Sequence, residues 1–162
     1  MSEYSILKDM GAYKNKIVST LINCDAICEL LLDKNNYAEE EVEELIYSQV
    51  FPYLYVDETQ TEVKTYICCE IDIQRVPTNT VKDMKVILWV YSHRDGMKYS
   101  KKGYLGTKVD ILVDMIEEQL RESNKFGIGK LELTSCTYFI PNNKYYGKQL
   151  IFNMPDFKVK SR

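Results

Sequence analysis

Residues 84–92 read MKVILWVYS. At a period of two, Val86, Leu88 and Val90 fall on one side and Ile87, Trp89 and Tyr91 on the other, so both faces are apolar. A strand of that kind belongs in the middle of a sheet, covered twice. The reading makes a sheet the frame of the fold and predicts Trp89 as core. Arg94, Asp95 and Gly96 close the strand just after His93.

The flanking segments agree with a sheet. Residues 65–76, TYICCEIDIQRV, alternate. Ile67, Cys69, Ile71 and Ile73 take one face; Cys68, Glu70, Asp72 and Gln74 take the other, the pattern of a half-buried strand. Pro77, Thr78 and Asn79 predict the turn between the two strands. Residues 130–140 and 145–154 alternate as well, with Leu131 and Leu133 sharing a face on the first and Tyr146, Leu150, Phe152 and Met154 on the second. Pro141 to Lys144 predicts a hairpin loop between them.

Helical periodicity appears on both sides of this strand set. In residues 107–122, Val109, Leu112, Val113, Ile116 and Leu120 form a stripe, widened by Ile111 and Met115. Thr107 followed by Asp110 predicts a variant of the capping box, and the NKFGIG segment, residues 124–129, supplies the glycine expected at a helix end. Residues 14–33 carry one stripe through Ile17, Leu21, Cys24, Cys28 and Leu31, which predicts a single helix. The Glu-rich start of AEEEVEELIYSQ favours the N-terminal end of a second, short helix through the macrodipole. Pro52 then forces Phe51 out of the α region, and Tyr53 to Val56 are β-prone.

The predicted fold class is α+β: a mostly antiparallel four-stranded sheet with helices packed on one face and an N-terminal helical pair. The 162 residues fit one domain, with N-terminal helices over 14–48, the sheet and its central helix over 50–155, and a polar tail over 156–162. Composition is that of an ordinary globular chain, 45% hydrophobic and 28% charged. A net charge of −3 argues against a surface that grips nucleic acid over its whole extent, although a local basic patch is compatible with it. No apolar run is long enough for a membrane span, and the N-terminus MSEYSILKDMGAYK lacks the charge and hydrophobicity order of a signal peptide. Thirteen Tyr residues suit strands and interfaces alike.

Chemistry-bearing patterns are sparse. The phosphate-loop and dinucleotide fingerprints are absent. His93 has no Ser or Cys nearby in sequence to activate, which favours a structural or surface role. Cys24 and Cys28 would share a helix face, but no second pair stands at ligand spacing, so the five cysteines, including Cys68, Cys69 and Cys136, read as buried small apolar residues in a reducing compartment. Glu70 and Asp72, with Asp57 upstream, weakly resemble the acidic set of a metal-dependent nuclease, whose third position would be Lys rather than Asp72. The plainer reading makes Glu70 and Asp72 the wet side of an edge strand or, with Tyr53 and Tyr55, the rim of an interface. The segment after the central strand carries Arg94, Lys98, Tyr99, Lys101, Lys102, Tyr104 and Lys108. At about ten residues it is long for a connection, and it reads as a solvated mobile loop, a protein-docking element or a nucleic-acid contact.

The segments FPYLYVDETQTE, TYICCEIDI, VILWVYSHRDGMKY, TKVDILVDMIEEQL and NNKYYGKQLIFNM, in that order and with the local patterns FPY-x-Y and YYGK, resemble the small neck proteins of tailed bacteriophages, nearest to the tail-completion or tail-terminator family. The resemblance covers most of residues 14–155. It implies a structural protein of the virion neck, assembled in the host bacterial cytoplasm. Such a protein forms a ring, commonly a hexamer, that ends the tail tube and docks to the connector. Its implied partners are itself, the tail-tube protein, and connector or other neck proteins, with DNA passing through the lumen. It implies no catalysis and no cofactor, and it assigns no individual functional residue. A nuclease and a small adaptor without a ring of its own are the alternatives.

Overall fold

The computed structural model describes residues 7–75, 81–122 and 131–157. Three helices open the chain: α1 (Lys8–Ile22), α2 (Asp25–Leu32) and α3 (Glu39–Glu43). Next come β1 (Val50–Phe51), β2 (Thr65–Arg75) and β3 (Val81–His93). A short 3-10 turn over Arg94–Gly96 leads toward α4 (Lys108–Glu122), and β4 (Glu132–Asn142) and β5 (Tyr145–Phe157) end the described chain. The predicted turn at Pro77, the glycine end of α4 and the tail beyond Phe157 lie outside the described residues.

The single helix expected over residues 14–33 is two helices, and the first begins earlier. Asn23 closes α1 by donating its N–H to Ser19 and Leu21 carbonyls, and Cys24 is extended before α2 starts at Asp25. The apolar stripe crosses this break because both helices bury their sides in one core: Tyr13, Ile17, Val18 and Leu21 from α1, and Ile27, Cys28, Leu30 and Leu31 from α2. Periodicity reports the shared core and is blind to a one-residue kink between helices.

The sheet has five strands in the order β1-β2-β3-β5-β4. It is mixed rather than wholly antiparallel, because β1 pairs with β2 in parallel, Val50 opposite Ile67 and Phe51 opposite Cys68. The expected count of four omitted β1, since two residues carry no alternation to read. β3 is the central strand, as predicted, flanked along its length by β2 and β5. β5 also runs to Phe157, so the predicted tail begins inside a strand.

The two faces of the sheet differ. Ile67, Cys69, Ile71, Met84, Val86, Leu88, Val90, Leu150, Phe152 and Met154 pack beneath α1, α2 and α4 in the main core. On the other face, Phe51, Tyr66, Cys68, Tyr91 and Tyr145 form a second, aromatic cluster, covered by the irregular chain after β1 through Tyr55 and Val56. The Tyr91 hydroxyl donates to the Tyr55 carbonyl, and the Tyr145 hydroxyl donates to the Glu62 carbonyl at 2.7 Å. These bonds satisfy tyrosine tips that burial would otherwise penalise. Two expectations change accordingly. β2 is buried on both faces at its start, since Tyr66 and Cys68 lie under this cover. Trp89 is half-buried beside the aromatic cluster rather than deep in the core, with its Nε1–H donating to Gln149 Oε1 at 2.9 Å.

Gly147, in the YYGK pattern, sits where a Cβ would lie 2.0 Å from the Val90 carbonyl oxygen and 2.6 Å from the Tyr91 Cβ. Only glycine lets β5 approach β3 there.

Candidate interaction surfaces

The segment after β3 was expected to be mobile or to dock a partner, and most of it is packed structure. His93 is buried; its Nδ1 accepts the Asp95 N–H at 3.1 Å and its ring meets Tyr145 edge-on at 5.2 Å. The imidazole therefore caps the 3-10 turn. The chain then folds back over the helices. Met97, Tyr99 and Tyr104 pack against the main core, and the Met97 carbonyl accepts the Lys108 N–H at 2.8 Å. Lys101 Nζ reaches Glu29 of α2 at 2.8 Å, a bond that raises the lysine pKa. The Tyr104 hydroxyl donates to Glu118 of α4 at 2.9 Å; this bond and desolvation push the phenol up to about 12. Lys108 is buried, with its ammonium 5.4 Å above the Tyr99 ring and 3.5 Å from the Asp33 carboxylate. Tyr99, Lys101, Tyr104 and Lys108 are thus stitching residues, while Arg94, Lys98 and Lys102 face solvent.

The acidic pair is not gathered into a metal site. Lys14 Nζ of α1 sits 2.6 Å from Glu70, and Asp72 stands opposite Lys85 in the β2–β3 ladder. Among the described residues, no three His, Cys, Asp or Glu side chains come together where a metal ion would be held. Cys28, Cys68 and Cys69 are buried, and desolvation raises their thiols to about 11, about 11 and about 12. Cys68 and Cys69 point to opposite faces of the sheet, as expected, but Cys136 is exposed. An open cleft of about 610 Å³ between α2, α3 and the start of β2 is lined by Lys34, Lys64 and Lys108 against Asp33, Glu41 and Glu44, so its charges balance.

Tyr53 and Tyr55, read as interface rim, do come together with two further rings. Phe51 stacks on Tyr55 at 4.3 Å and meets Tyr53 at 5.8 Å, while Tyr47 meets Phe51 at 6.5 Å and Tyr53 at 6.3 Å. The buried Phe51 is the floor. Tyr47 and Tyr53 stand out from it, 64% and 44% exposed, beside an exposed Leu54. Tyr47 has a φ of 65°, uncommon for a bulky aromatic, and its N–H donates to the Val50 carbonyl at 2.9 Å. The tight turn that starts β1 holds this ring outward. Tyr47 was not picked out from the sequence, because nothing in YSQVF signals a left-handed tyrosine.

The opposite edge of the sheet was also missed. β4 is an outer strand whose residues are exposed or half-buried along its whole length. Among the described residues, α1 packs on β2, and α4 packs on β3 and β5. Leu133, Tyr138 and Ile140 are exposed large apolar residues, and residues 133–140 contain no charge. Natural edge strands are normally blunted by charge, proline or cover. The available signal was the run LTSCTYFI, β-prone and uncharged beside strands that carry Glu, Asp or Lys.

Two apolar surfaces thus stand at the two ends of one sheet in a small α+β protein. The chain belongs to the YomW family: the family's model matches residues 25–154, from the first residue of α2 to near the end of β5. That family bears the name of a phage-type gene, which makes this a phage-associated protein. No curated protein and no solved structure matches the chain.

Proposed function

We propose that this phage-associated protein is a structural assembly protein of the head–tail junction, forming a ring that ends the tail tube and docks to the connector. The observation that carries the reading is β4, an eleven-residue outer strand, uncharged over residues 133–140 and open to solvent on both faces. An edge of that length and composition is a template for another chain. The aromatic surface at the other end of the sheet supplies a second contact, as a ring requires two different patches per copy. The exposed Arg94, Lys98 and Lys102 would face the lumen, where DNA passes. The proposal assigns the protein no catalysis and no cofactor, and places it in the virion neck after assembly in the bacterial cytoplasm.

The test is mass in solution by light scattering, with negative-stain microscopy, for the purified chain alone and mixed with tail tubes. Closed rings, alone or seated on tube ends, are the expected result. A monomer at every concentration that leaves tube ends bare would overturn the proposal.

A further inference from the structure

Resting on the assembly reading above, we propose that copies of this chain join head to tail, β4 of one against the Tyr47–Leu54 surface of the next. The two surfaces lie at the same level of the sheet. Val50 of β1 stands opposite Ile67, Ile67 opposite Val90, Val90 opposite Lys148 and Lys148 opposite Tyr138 of β4. This row crosses all five strands, and its ends are about 19 Å apart at the usual strand spacing. Tyr138, 74% exposed, closes one end; Tyr47 projects from the turn that begins the other. A neighbour related by rotation about an axis beside the sheet brings one end onto the other without a vertical shift, the geometry a closed ring needs.

Charge favours this pairing over a two-fold contact between like edges. The aromatic surface follows directly on α3, where Glu39, Glu40, Glu43 and Glu44 are exposed. The hairpin turn at the end of β4 carries Lys144, whose carbonyl accepts the N–H of the exposed Arg94 at 2.8 Å. Each copy therefore presents an apolar patch with acidic flanks at one end and, at the other, an apolar strand with a corner where Arg94 and Lys144 outnumber the exposed Asp95. Meeting head to tail sets Glu against Lys and Arg; a two-fold contact between the aromatic ends would set the acidic flanks against themselves.

The experiment uses two full-length variants, with circular dichroism to confirm that each is folded. Tyr138→Asp with Ile140→Asp disables the β4 end; Tyr47→Asp with Leu54→Asp disables the other, aspartate being among the residues that tolerate a left-handed backbone. Each variant alone is expected to be monomeric, with self-association weakened more than about tenfold. An equimolar mixture is expected to give one-to-one dimers and nothing larger, because each variant retains the end that the other lacks. Labelling of the exposed Cys136 by a maleimide slows in that mixture. Dimers of the Tyr47/Leu54 variant by itself would overturn the inference in favour of a two-fold β4 contact. Monomers in the mixture, while the unaltered protein forms rings, would place the contact elsewhere and leave the assembly reading standing. An unaltered protein that never associates with itself or with tubes would sink that reading and this contact together.

Discussion

Thr107 and Asp110 show what single residues contribute. The Thr107 N–H and hydroxyl both donate to the Asp110 carboxylate at 3.0 Å, and the Asp110 N–H donates back to the Thr107 hydroxyl at 3.2 Å. This is the reciprocal cap read from the sequence, with Asp in place of the usual Glu. The backbone bond from Thr107 is the largest cause holding the Asp110 carboxyl below its ordinary range; desolvation opposes it, and the Thr107 hydroxyl and Lys148 assist. A carboxylate with a depressed folded pKa contributes stability above its unfolded value, near 4, and loses it as pH falls through the folded value. Asp110→Asn should therefore lower stability at pH 7 and flatten the acid limb. The difference in Tm between variant and parent should shrink from pH 6 to pH 2; a constant difference would mean that the carboxylate's charge plays no part. Thr107→Ala should cost about 1 kcal/mol, as other helix caps do.

At the scale of elements, the segment between β3 and α4 changes its meaning once its contacts are known. Its lysines and tyrosines read from sequence alone as a partner-facing loop, one that a deletion of residues 98–102 would remove while sparing the monomer fold. The Lys101–Glu29 ion pair and the seat of Tyr99 against the core and Lys108 make that deletion destabilising instead. Two sets of substitutions separate the roles. Lys98→Ala with Lys102→Ala changes exposed side chains and should move the urea midpoint by less than about 0.5 kcal/mol equivalent. Tyr99→Ala removes a partly buried ring and its cation contact, and should cost about 2–3 kcal/mol. Equal losses from both sets would show that the segment is stabilised as a charged loop, without the packing described here.

At the scale of the whole molecule, the buried strand and the proposed assembly contact are different strands. β3 lies between partners along its length and beneath the helices, whereas among the described residues β4 pairs with β5 alone and is exposed or half-buried throughout. In the isolated chain, amides on the free side of β4 should exchange with solvent far faster than those of β3, and association should slow them selectively. β4 amides as protected as those of β3 in a verified monomer would contradict the open edge. Much of this plan was legible in the sequence: the central strand from apolar residues on both sides of 84–92, the cap and stripe of α4, and the hairpin of β4 and β5. The rest was not, for specific reasons. The break at Asn23 hides because both helices face one core. β1 hides because two residues have no period. Tyr47 and Tyr138 hide because exposure of a tyrosine depends on what elements elsewhere fail to cover.

Local pattern by itself determined the long strands, α4 and which strand is central, because alternation, helical period and capping act over a few neighbouring residues. Only the tertiary structure decided that Lys101 and Lys108 stitch rather than dock, that a second aromatic core lies behind the sheet, and that β4 is left open. Those outcomes depend on where α1, α2 and α4 end relative to the sheet and on contacts between residues far apart in the chain, and no short window of sequence holds that information.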